Sequence, residues 1–169
     1  MKPRNASKEI RAAAVKACTG LLMGTGLDRN DPAHRYILKR ALNELVWCYS
    51  GSHEDAGKYL GCPWWTAGAL ALFDSGDPDW IKHVALEHVV ERKEVIAELL
   101  LANSEEQVRQ ALERSDTCVV LRSEHTELSV GSGWERYKGV EVVPGPRARK
   151  RMSLTDAAEA GTGEPLLNA

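Results

Sequence analysis

The sequence predicts a predominantly helical α+β domain over residues 1–144, followed by a flexible tail over 145–169. Three observations carry that expectation. Apolar residues recur at three- and four-residue spacing through most of the chain up to about residue 114. Only a few short runs, "TCVVLR" at 117–122 above all, have the β-branched, apolar character of a strand. Beyond Pro144 the periodicity stops, in "PGPRARKR" and then "TGEPLLNA". At 169 residues the chain is long enough for one domain with a real core.

Taken in order, residues 7–19 can start at Ser7 as an N-cap and run helically until Gly20 and "GTG" at 24–26 interrupt them. Asp31 caps a second helix and Pro32 takes its first turn, where a missing N–H is harmless. Ile37, Leu38, Ala41, Leu42, Leu45, Val46 and Tyr49 then mark one core-facing stripe. Residues 50–80 hold a short helix, a turn near Gly61–Cys62–Pro63, and another helix to Phe73, completing a helical part over 7–80. A helix from about Arg92 to Leu101 is closed by Asn103, and Ser104 with Gln107 forms a capping box for 105–114. After the 117–122 strand, Ser123 can cap a short helix that carries His125. "GSGWERYKGVEVV" reads as a turn and a loosely ordered strand-like piece.

Composition excludes several classes. Apolar residues are 43% and charged residues 27%, which excludes disorder throughout. A net charge of −2 offers no global attraction to nucleic acid or to an anionic membrane, so such binding needs a local basic patch. Arg147, Arg149, Lys150 and Arg151 form one that could bind phosphate or an acidic partner. Cys18, Cys48, Cys62 and Cys118 are scattered, without a CxxC pair, and read as reduced, packed thiols. No run reaches the length of a membrane span and no leader-like apolar core appears near the start, so the expected compartment is the cytoplasm, without membrane contact.

Two constellations bear on chemistry. "EDAGKYLGCPWWTAGAL", 54–70, has helix-turn-helix spacing, with small residues at Ala56, Gly57 and Ala67 and a turn at Gly61. Its second helix would offer Trp64, Trp65, Thr66 and Gly68, with no cation between Pro63 and Phe73, which makes it a poor reader of base edges and phosphates. The second is "HVALEHVVERKEV", 83–95. A helix over 85–100 would gather Glu87, Glu91, Glu94 and Glu98 on a solvated face; as a strand the stretch sets Val84, Leu86, His88 and Val90 on one side and Ala85, Glu87 and Val89 on the other.

With "EHVV" at 87–90 and "VVLRSEH" at 119–125, residues 84–128 resemble the HNH, or ββα-metal, nucleases, in which an acid–His pair ends one strand and a second His opens the helix after another. The resemblance implies a small ββα element and hydrolysis of DNA or RNA phosphodiesters. In it His88 is the general base, Glu87 and His125 hold a Mg²⁺, Mn²⁺ or Zn²⁺ ion, Glu124 assists, and Arg122 binds the scissile phosphate. Imidazole suits a base because it titrates near neutral pH, and the cation stabilises the pentavalent phosphate. The sequence departs from the family pattern by placing Glu91 where a Pro is common and by lacking an Asn just before His125. The alternative expectation is a non-enzymatic protein, either a DNA-binding regulator using 54–70 or an interaction protein of phage or defence type. His34 and His53 are expected at the surface, and His83, which a strand would put on the face opposite His88, is not counted as a ligand.

Overall fold

A computed structural model describes residues 6–51, 57–129 and 131–150. His53, Arg151 and the segment 151–169 lie outside the described residues. The chain opens with two long helices, α1 (Ala6–Gly24) and α2 (Pro32–Gly51). Asp31 Oδ1 accepts the backbone N–H groups of Ala33 and His34 at 2.9 Å each, so the first turn of α2 is capped. Gly20 does not stop α1, because the buried Leu22 continues the apolar stripe past it.

Four short elements follow: α3 (Gly57–Leu60), β1 (Trp64–Thr66), α4 (Ala67–Asp74) and α5 (Trp80–His83). The chain then alternates between sheet and helix: β2 (Val84–His88), α6 (Arg92–Leu101), α7 (Glu105–Glu113), β3 (Thr117–Leu121), α8 (Arg122–Glu127), a 3-10 turn η1 (Trp134–Tyr137) and β4 (Val142–Pro144). The sheet order is β2-β3-β1-β4. β3 runs antiparallel to β2 and parallel to β1, and β4 closes the other edge antiparallel to β1.

Three departures from the sequence expectations have physical reasons. The helix expected from Pro63 opens instead as β1, because Trp64 and Trp65 fill a slot between β3 and β4 that satisfies their backbone groups. Over the described residues 57–70 a strand therefore stands where the second helix of a helix-turn-helix would open, and Thr66, not a turn residue, caps α4 by accepting the Ala69 N–H. The tail expected from 145 begins as helix at 146–150. It is anchored where the Gly145 N–H donates to Pro63 O at 2.8 Å. Finally, α8 starts at Arg122, and the Leu121 N–H is accepted by Glu124, which displaces Ser123 from the capping role.

Two bodies of apolar side chains result. Val15, Cys18 and Leu22 of α1, Leu38, Leu42 and Val46 of α2, Val95 and Leu99 of α6, and Val108 and Leu112 of α7 make one. Each buried Leu or Val there is worth roughly 1.5–3 kcal/mol against exposure. The sheet divides the other. Trp65, Val84 and Val119 pack on one face with Phe73 and Trp80, while Cys118, Val120 and Ala85 pack on the opposite face with Tyr137 and Val142. α8 doubles back after β3 and lies against β2 and β3, giving a β-β-α arrangement in space although α6 and α7 intervene in sequence. No helix among the described residues is long and apolar enough to cross a membrane.

Candidate active site

Strand geometry settles which side each residue of the Glu87–His88 pair faces, since consecutive side chains alternate. Glu87 projects from the face that α8 and η1 cover. Its Oε2 lies 2.9 Å from His125 Nε2 on α8, and its Oε1 accepts from Arg136 Nη1 on η1 at 3.0 Å. Arg136 is fastened further, with Nη1 reaching His88 O at 3.4 Å and Nε reaching Ser129 O at 3.4 Å. Exposure falls inward along the chain of groups: His125 is 46% exposed, Glu87 19% and Arg136 13%. The carboxylate thus holds one imidazole open to solvent and is itself held by a guanidinium beneath.

His88 faces the other way. Its Nε2 lies 3.1 Å from Ser50 Oγ at the end of α2, and its ring packs against Trp47 at 5.6 Å between centroids. Burial, helped by the nearby Arg92 charge, pushes its pKa down from 6.5 to about 4, so the ring is neutral at working pH. A general base must reach the water it deprotonates. His88 instead packs between the sheet and α2 and does not converge with His125, which corrects the role that the resemblance implied for it.

The other expected site residues divide similarly. Glu124 Oε2 accepts from Thr66 Oγ1 at 2.5 Å and from the Leu121 N–H at 2.9 Å, so this carboxylate ties the starts of α4 and α8 together instead of assisting at Glu87. Arg122 is exposed and its Nε donates to Lys82 O at 2.9 Å. Arg149 makes two 3.1 Å contacts to the carboxylate of Asp74, and Arg147 and Lys150 stand on the same helical stretch. His34 Nδ1 accepts the Asp28 N–H, and His83 is exposed at the end of α5.

Glu87 and His125 pass one test for a shared cation. Two ligands about 2.1 Å from one ion and about 90–110° apart lie roughly 3.0–3.4 Å from each other, close to the separation here. Among the described residues no group of three or more His, Cys, Asp or Glu side chains comes together. An ion held there would have two protein donors and would take its remaining ligands from water. Arg136 is the participant that the sequence reading left outside the site. It stands 49 positions from Glu87, and its only signal was a cation embedded in the aromatic run "GWERY". No protein-family model matches the chain, and comparison with curated proteins and with solved structures gave no significant match.

Proposed function

We propose that the protein hydrolyses phosphodiester bonds of a polynucleotide at Glu87, His125 and Arg136. The observation that carries this reading is the 2.9 Å approach of Glu87 and His125 at the open end of a β-β-α arrangement. Glu87 and His125 would hold a divalent ion of the Mg²⁺ or Mn²⁺ type. When bound, it supplies charge stabilisation for the pentavalent phosphate and acidifies the attacking water.

The remaining work falls to the chain itself. Arg136 fixes the rotamer of Glu87, because its Nη1 donates to Glu87 Oε1 at 3.0 Å. α8 presents His125 half-exposed, where a substrate can approach. Arg122, at the first position of α8, and the basic stretch with Arg147, Arg149 and Lys150 would draw in the phosphate backbone.

The test is cleavage of plasmid, single-stranded DNA and RNA with Mg²⁺ or Mn²⁺. Wild type should cut; His125→Ala and Glu87→Gln should lose at least about 100-fold in rate, a usual range for removing a group that acts on the reacting centre. His88→Gln should retain cutting within a few-fold. Absence of cleavage by wild type with every substrate and either ion, or full activity in His125→Ala, rejects the proposal. One observation favours a second reading, a protein that binds nucleic acid without cutting it: Arg136 already occupies Glu87 Oε1, and its positive charge opposes a cation at the same carboxylate. Binding without cleavage is the result that would select that reading.

A further inference from the structure

Trp64 and Trp134 are large apolar side chains left 38% and 41% exposed beside the Glu87–His125–Arg136 group. They are not loose. Their rings meet edge to face, with centroids 5.8 Å apart and planes at 78°. Trp134 also leans on Tyr137 at 5.4 Å, and Tyr137 is 4% exposed. The turn that carries Trp134 is pinned by the Gly133 N–H donating to Val89 O at 2.9 Å, and Gly133 has φ +80°, which favours glycine. A scattered exposed Trp is ordinary, but two braced against each other on an anchored turn form a preorganised aromatic surface.

Its placement says what it can receive. Glu87 pairs with Cys118, and Cys118 with Trp64, so the three stand in one row across β2, β3 and β1. With strands about 4.8 Å apart, Trp64 lies about 10 Å from Glu87 at the backbone. Trp134 is two residues before Arg136. On the far side Trp64 pairs with Pro144, which leads into the stretch carrying Arg147, Arg149 and Lys150. Aromatic faces thus lie two strands away from the acid–imidazole pair in the row that carries Glu87, while Arg149 is turned to Asp74 of α4. Aromatic rings take nucleobases by stacking, and cations take the phosphates between them.

We propose that Trp64 and Trp134 form a stacking site for an unpaired nucleobase, so that the polynucleotide engaged is single-stranded. This rests on reading Glu87–His125 as a phosphodiester site. A duplex keeps its base faces stacked on one another and cannot offer one to the tryptophans, whereas an unpaired base can be splayed onto them.

The experiment is fluorescence anisotropy with labelled oligothymidine, oligouridine and a duplex of equal length, in EDTA so that cleavage plays no part. Wild type should bind at least one of the two single strands about tenfold more tightly than the duplex. Trp134→Ala should weaken that binding about tenfold and Trp134→Phe should recover most of it, since a phenyl ring still stacks. Because Trp64 belongs to β1, it is changed only to Phe, with a circular dichroism spectrum to show that the sheet persists. Equal or tighter binding of the duplex, no binding of either single strand, or Trp134→Ala binding as wild type does overturns the stacking site. The two readings fail separately: cleavage that is indifferent to Trp134 removes the stacking site alone, and Trp134-dependent binding without cleavage removes the phosphodiester chemistry alone.

Discussion

At His88 two surroundings set the protonation state: burial between β2 and α2, and the positive charge of Arg92. Both disfavour the imidazolium, so the folded ring binds its proton near pH 4 while an unfolded one binds it near 6.5. The unfolded state therefore takes up more protons in that window, and stability contributed above pH 6.5 is lost as pH falls towards 4. Since the ring is only partly buried, the loss should be about 1–3 kcal/mol after discounting for solvent screening. Denaturant titrations at pH 7.5 and 4.5 should show this loss in wild type and a smaller one in His88→Gln; the same pH dependence in both would show that His88 is not its source. The alternation that hides His88 was readable in the sequence, because any regular strand through 84–88 must send Glu87 and His88 to opposite faces. That Glu87 and His125 would stand together was implied only by the resemblance, which put His88 beside them as well. Arg136 did not follow, because a contact spanning 49 positions is set by how the loop after α8 folds back, which no local pattern encodes.

Among the elements, the junction of α4 and α8 depends on one carboxylate. Glu124 accepts the Leu121 N–H at the start of α8 and the hydroxyl of Thr66, the residue that caps α4. Gly68 passes beneath it so closely that a methyl group there would fall on Glu124 Oε1 and Leu121 Cδ1. Glu124→Ala removes two hydrogen bonds and should cost about 1–2 kcal/mol. Gly68→Ala should be destabilising in wild type through that clash and should cost less once Glu124 is Ala. Thermal melts of the two single variants and the double variant measure the coupling; strict additivity would show that the close approach carries no strain. β1 is the element that sequence patterning misread, and the reason is similar. A three-residue strand after Pro63, followed by alanines, looks helical locally, and only pairing to β3 and β4 from far along the chain makes it extended. Long stripes such as that of α2 were legible because their own periodicity fixes them.

Across the whole molecule, the helical core and the sheet are separate apolar bodies that the chain crosses repeatedly. β2 leads into α6, and α7 leads back into β3, so the helical hairpin α6–α7 is inserted between two paired strands. Breaking either body should therefore release the other: unfolding α6 and α7 frees β3 from its register with β2, and losing the sheet leaves α6 without the anchor that sets its entry. Further ties act at the seam, where Trp47 and Ser50 of α2 meet His88 of β2. Within the helical body, Arg29 donates to Leu22 O, Leu100 O and Ala102 O and so fastens the ends of α1 and α6. These links predict a single cooperative transition. The chain supplies two independent probes of it. Trp64, Trp65, Trp80 and Trp134 lie in or against the sheet, so tryptophan fluorescence reports mainly on that body, whereas ellipticity at 222 nm reports mainly on α1, α2, α6 and α7. The two curves should coincide in urea and give one midpoint for wild type. Arg29→Ala, which strands three carbonyls in the helical body alone, should move both midpoints together to lower urea, by an amount worth about 1–3 kcal/mol. If ellipticity fell first while fluorescence held at its wild-type midpoint, the inserted hairpin would be an independent folding unit, and the coupling inferred from the strand pairing would be wrong.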